Sequence, residues 1–148
     1  MNTTLRRLLG ANYAPTATIL IRLSVGLVFL SEGAQKFLFP LPLGAGRFAK
    51  IGLPVPELLA PFVGTTELVC GVAVALGALT RVAAVPLIAI LCVAITSTKV
   101  PIFLADGFWA MAHEARTDVA MLLGAVFLLL VGPGPWSIDA RLTHSSSR

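Results

Sequence analysis

The stretch Arg22-Leu-Ser-Val-Gly-Leu-Val-Phe-Leu-Ser-Glu-Gly-Ala-Gln-Lys-Phe37 decides how the chain must be read. It lies inside an apolar run from about Ala17 to Phe39. A helical bilayer crossing takes roughly 20 such residues. Four polar side chains interrupt the run: Arg22, Glu32, Gln35 and Lys36. A charge at the centre of a membrane helix costs about 2.5–3.5 kcal/mol on insertion scales, so it turns toward protein and takes a partner. Arg22 and Lys36 lie toward opposite ends, where a long stem lets the charge reach an interface. Glu32 is too short for that. Its partner in sequence is Lys36, four residues on, with the acid on the favourable N-terminal side. This helix therefore carries a polar stripe that three others must cover. The expected fold is all-α, an integral four-transmembrane-helix bundle.

Composition agrees. Of 148 residues 57% are hydrophobic and only 12% charged, against about 25% charged in soluble domains. Mean hydropathy is +0.91. The length suits one membrane domain over residues 1–148, with the lipid bilayer as its first partner. The net charge of +4 is spread along the chain without a basic cluster, so nucleic acid is not an expected partner. Cys70 and Cys92 lie in apolar runs and form no C-x-x-C. They read as small hydrophobes, with a redox pair at similar depth as the alternative.

Outward from the first span, residues Met1–Asn12 place Leu5, Leu8 and Leu9 beside Arg6 and Arg7, the pattern of a short interfacial helix. A cleaved signal peptide is the rival reading, but Arg22 interrupts the apolar region and no small-x-small site closes it. The segment from Pro40 to Pro56 holds four prolines and three glycines, so no continuous helix is expected there. It is apolar for a loop and suits a re-entrant segment covered by protein. The second span is expected at about 57–79, followed by a tight turn at Thr80-Arg81. The third is expected at about 82–98, ending in Thr96-Ser-Thr-Lys99, and a second sizeable loop over Ile102–Thr117. Asp118 is expected to open a fourth span, about 118–131, closed by Gly132-Pro-Gly-Pro135. Trp136 is placed as an interfacial anchor, and the tail to Arg148 is expected to fray. Four spans put both long loops opposite the termini. The positive charges are divided almost evenly between the two sides, and their closer grouping on the termini side favours cytoplasmic termini.

Glu67 stands near the middle of the second span. Its helical neighbours Val63, Gly64, Cys70 and Gly71 cannot pair with a carboxylate. It is therefore protonated or takes a partner from another helix. At 1.5 Å per residue, Glu32 and Glu67 fall within roughly 5 Å in depth. Lys36 lies closer to the loops, as do Lys99, His113, Arg116 and Asp118. Candidate catalytic residues are thus Glu67, Glu32 and Lys36. Candidate ligand-binding residues are Arg22, Gln35, Lys99, His113, Arg116 and Asp118. A structural reading stands beside these: Glu32–Lys36 as a packing ion pair, Arg116 and Asp118 as caps of the fourth helix. His113-Glu114 lacks the rest of an H-E-x-x-H, so no metal site is expected.

Arg22-Leu-x-x-Gly26 with Gln35-Lys36-Phe37, Gly64-x-x-Glu67-x-x-x-Gly71, Gly77-x-x-Thr80-Arg81-x-Ala83-Ala84 and Gly132-Pro-Gly-Pro-Trp-Ser-Ile-Asp139 together resemble the DoxX family of small four-helix bacterial membrane proteins. The likeness covers nearly the whole chain and rests on the order and spacing of the motifs. It implies a bacterial inner-membrane location and a link to redox systems, since the family takes its name from a membrane subunit of a thiosulfate:quinone oxidoreductase. Many relatives carry a histidine near the end of the third span, where this chain has Thr98-Lys99. The function expected is a redox-associated membrane subunit binding a quinone or similar hydrophobic ligand. A redox partner protein would carry the electrons, and further copies of the chain are a second class of partner. The alternative is a non-enzymatic scaffold or a carrier of a small solute or lipid. A carrier should show internal repetition, and in sequence Glu67 finds only a weak match in Asp118.

Overall fold

The computed structural model describes residues 15–145, in which every regular element is helical. Helix α1 spans Thr18–Leu38, α2 Ala45–Lys50 and α3 Pro56–Leu76. Helix α4, Thr80–Ala94, runs through a π-type turn, Ile95–Lys99, into α5, Val100–Asp106. Helices α6, Phe108–Val131, and α7, Ile138–Ser145, complete the chain. Among the described residues, three rods are long and apolar enough to cross a membrane: Thr18–Leu38, Pro56–Leu76 and Thr80–Asp106. The fourth long helix, α6, carries Glu114, Arg116 and Asp118 in its first half.

Several sequence boundaries need correction. The third span does not stop at Thr98. Pro101 falls in the first turn of α5, where a missing N–H is harmless, so the rod continues to Asp106. Residues 102–117 are not a loop. They are helical on both sides of Gly107, whose φ of 83° makes the one break. Asp118 lies inside α6 instead of opening it. Thr80 and Arg81 belong to the first turn of α4. The segment after Trp136 forms α7, and the proline-rich segment contains α2. The readings of Met1–Asn12 as an interfacial helix or signal peptide fall outside the described residues.

Each rod packs on the two beside it, α1 on α3, α3 on α4, α4 on α6 and α6 on α1. Between them lies a core of Val25, Phe29, Val74, Leu87, Leu91 and Leu128 with small Ala83 and Ala125. Large apolar side chains such as Leu20, Leu27, Leu58, Phe62, Leu123 and Leu130 point outward, as a lipid-facing surface requires. The closest approach is between α1 and α3. A Cβ on Gly26 would lie 2.8 Å from both the Gly71 carbonyl oxygen and Ala75 Cβ. Small residues let two backbones meet where no hydrophobic force separates helix from lipid.

The loop-poor end is tied by two buried charges. Arg22, 3% exposed, donates from Nη1 to the carbonyls of Pro133 and Trp136, both at 2.8 Å, and from Nη2 to that of Ala75 at 3.2 Å. Asp139, 1% exposed, accepts the N–H groups of Leu79 and Thr80 at 2.8 and 3.1 Å. This caps α4 from a distant element and holds Leu79 at φ 49°, a strained conformation for a leucine. Gly77 reverses the chain at φ 71°, and a Cβ there would lie 2.7 Å from Arg22 Nη1. The three signature segments around Arg22, Gly77–Thr80 and Pro133–Asp139 thus form one lock.

Two outcomes are expected. Gly71→Leu should push α1 from α3 and abolish recovery of monodisperse protein in detergent; unchanged elution and melting would refute the contact. Asp139→Ala should lower stability by about 1.5–3 kcal/mol, the worth of hydrogen bonds to a charged group, read as a drop in detergent melting temperature.

Candidate functional site

Glu67 lies eleven residues beyond Pro56, about 16 Å along α3 from its loop-side end. Its side chain is 4% exposed, and its Oε2 lies 2.6 Å from Lys36 Nζ. The partner demanded by its bare helical surroundings comes from α1. Lys36 also reaches Glu32, four residues earlier on its own helix, but only at 3.9 Å, and that carboxylate is half exposed. The cross-helix contact is the shorter one. Lys36 therefore belongs chiefly to Glu67, with Glu32 as its outer neighbour.

A second pair faces the same space. Lys99 Nζ lies 3.1 Å from an Asp118 carboxylate oxygen. Lys99 ends the π-type turn, in which Thr96, Ser97 and Thr98 hydroxyls donate back to the carbonyls of Cys92, Val93 and Ala94 at 2.8, 2.7 and 2.6 Å. Wide turns of this kind recur at functional sites. Here the hydroxyls bond to their own helix, and the lysine is the group it presents.

Both pairs line one cavity of about 510 Å³, within the range of small-molecule sites. Its walls are otherwise largely apolar, including Phe29, Leu59, Val63, Ile90, Leu91 and Met121. Helix α2 closes the loop side, anchored by buried Phe48, and brings Arg47 to the lining. Nothing in the sequence singled out Arg47 by itself. The signal was present in the apolar character of the segment around it, which marked that loop as packed. Three cations (Lys36, Arg47, Lys99) and three carboxylates (Glu32, Glu67, Asp118) make the lining formally neutral.

The structure gathers Glu32, Lys36, Glu67, Lys99 and Asp118, and leaves the other candidates apart. Arg22 is engaged in the lock at the opposite end, held by three backbone carbonyls. Gln35 donates to Ser31 Oγ at 2.9 Å and does not line the cavity. His113 is exposed, and Arg116 folds back to the His113 carbonyl. Spacing alone could not say which of these groups the cavity would include. Cys70 packs against the core and Cys92 faces outward, both as free thiols.

The cross-helix pair is open to a direct test. Lys36→Met leaves a buried carboxylate unpaired and should cost about 3–5 kcal/mol, whereas Lys36→Met with Glu67→Met removes the pair as a unit and should recover most of that loss. Detergent melting curves decide it; equal melting of the single and double variants would show that the pair carries no coupling.

Comparison with known proteins bears on this arrangement. The chain is 55% identical over 147 residues to an uncharacterized membrane protein of Mycobacterium tuberculosis, covering 95% of this chain and 90% of that protein. No solved structure matches. The sequence profile of the DoxX family matches residues 17–105, from the start of α1 to the end of α5, and so takes in both the lock residue Arg22 and the Lys36–Glu67 pair. The chain belongs to the DoxX family.

Proposed function

We propose that this protein is a membrane-embedded redox-associated subunit that holds a quinone-like ligand in the cavity between its helices. One observation carries the reading: two lysine–carboxylate pairs from separate helix pairs face a single, largely apolar cavity. Buried intramembrane charges mark functional sites by default, because their cost has to be offset. The neutral lining favours a neutral ligand, since a permanent ion would lose its water without gaining a net countercharge. Carbonyl oxygens suit the ammonium donors, and an isoprenoid or alkyl tail suits the apolar walls.

In this reading α6 is the fourth crossing. Its 24 residues span about 36 Å, and Asp118 turns inward to Lys99. Residues 1–148 make one domain of the bacterial inner membrane with cytoplasmic termini. Reduction of the quinone takes two electrons and two protons and yields the quinol. The electrons come from a redox partner protein. Lys36 and Lys99 would stabilise negative charge on the carbonyl oxygens as it develops, and Glu67 and Asp118 would pass the protons. Arg116, a candidate for the same role by sequence, lies outside the cavity.

A carrier is the second reading, favoured by the likeness of Glu67 with Lys36 to Asp118 with Lys99. It predicts exchange of the ligand across a vesicle membrane without chemical change.

Glu67→Gln keeps the shape of the side chain and removes its charge. Lys36 retains Glu32 within 3.9 Å, so the variant should fold. Expected is about a tenfold or greater loss of quinone binding or partner-coupled reduction, of the order of one charged hydrogen bond, with little change in melting temperature. Full activity in Glu67→Gln would reject the proton role. Losses of activity and stability in proportion would assign Glu67 to structure alone.

A further inference from the structure

We infer that the cavity is a duplicated, two-ended site, built from two copies of one helical hairpin, and that it takes a ligand head with two opposed hydrogen-bond acceptors. The inference rests on the binding reading above and goes beyond it to the ligand's shape.

Buried positions carry the repetition. Along the rising helices, Thr18, Arg22, Val25 and Phe29 of α1 are buried, and so are Thr80, Ala84, Leu87 and Leu91 of α4, each 62 residues later. Along the descending helices, Gly64 and Val74 of α3 are buried, and so are Ala115 and Ala125 of α6, each 51 residues later. The same step of 51 carries Glu67 to Asp118. Each carboxylate is held by a lysine of its own hairpin, Lys36 at 2.6 Å and Lys99 at 3.1 Å.

The lysines expose how register is kept. Lys36 lies eighteen residues beyond Thr18, but Lys99 lies nineteen beyond Thr80. The π-type turn at Ile95–Lys99 sits between the matching buried stretch and Lys99. A turn closed by i→i+5 bonds absorbs one extra residue and keeps the helical face of the residues beyond it. Without it the second lysine would fall about 100° away from the face its counterpart uses. The packing has the same symmetry: α1 on α3 matches α4 on α6, and α3 on α4 matches α6 on α1. That is a pseudo-twofold axis along the bundle, a form of repeat found in membrane proteins whose sites lie between the halves. The weak sequence match of Glu67 with Asp118 is thus a true equivalence.

A cavity on that axis offers the same donor and carboxylate from two sides. A para-quinone head has carbonyls on opposite edges of one ring, and each would meet one lysine–carboxylate pair. A ligand with a single carbonyl fills only one.

The test uses the full-length protein in detergent, with decyl-1,4-benzoquinone and a decyl-cyclohexenone bearing one carbonyl, read by equilibrium dialysis. The dicarbonyl should bind at least about tenfold tighter. Removing either pair as a unit, by Lys36→Met with Glu67→Met or by Lys99→Met with Asp118→Leu, should bring the dicarbonyl down to the affinity of the monocarbonyl. It should change the monocarbonyl by only about twofold, the statistical loss of one of two equal sites. Equal affinity of the two probes for the unaltered protein would overturn the two-ended site and leave the binding reading standing, and this comparison needs no variant to fold. Loss confined to one pair would overturn it equally. Failure of both probes to bind would reject the binding reading itself, and the inference with it.

Discussion

A carboxylate about 16 Å along a membrane helix has to be paired, and Glu67 has nothing on its own helix to pair with. The 2.6 Å contact with Lys36 meets that need, and it sets conditions on the rest of the chain. Lys36 can arrive only if α1 lies against α3, which the contacts of Gly26 with Gly71 and Ala75 permit. The contact must also hold its register along two rods of 21 residues each. The lock does this from the far end, because Arg22 joins α1 to the Ala75 carbonyl of α3 and to the chain beyond α6. One ion pair at the cavity end and one buried guanidinium at the other fix the first hairpin at both ends.

The legible part of the sequence was legible because of cost. A bare charge in an apolar run is so unfavourable that Glu67 announced its cross-helix partner, and Lys36, read from spacing as the partner of Glu32, lies closer to Glu67. The same argument placed Asp118 and Lys99 at the cavity end. It failed for Arg22, because the carbonyls that satisfy it come from segments more than 50 residues away. A guanidinium held by three carbonyls has no sequence signature that separates it from one reaching an interface. His113 and Arg116 stand apart for a simpler reason. Depth follows from counting residues, but a helical face can be assigned only where the helix is known to run, and residues 108–117 read as loop although α6 begins at Phe108. The residues between Gly107 and Asp118 mix charge with bulk, which reads as loop. Their polar side chains in fact lie exposed on a continuous helix.

The two hairpins differ most where the lock is. Arg22 of α1 has Ala84 as its counterpart in α4, and Gly77 after α3 corresponds to Leu128 inside α6. These differences follow from connectivity. The lock ties the chain after α6 back to α1 and α3, and only one hairpin has such a chain to receive. At the cavity end no such seam exists, since loop and break each join a rising rod to a descending one in the same sense. There each half offers a lysine–carboxylate pair, and the π-type turn lies just before the second lysine. A packing role alone would be met by any small apolar pair at those positions, at lower cost than the buried Lys36–Glu67 pair and the partly exposed Lys99–Asp118 pair. Divergence at the structural end beside agreement at the polar end is what the site proposed under α2, between the two halves, requires.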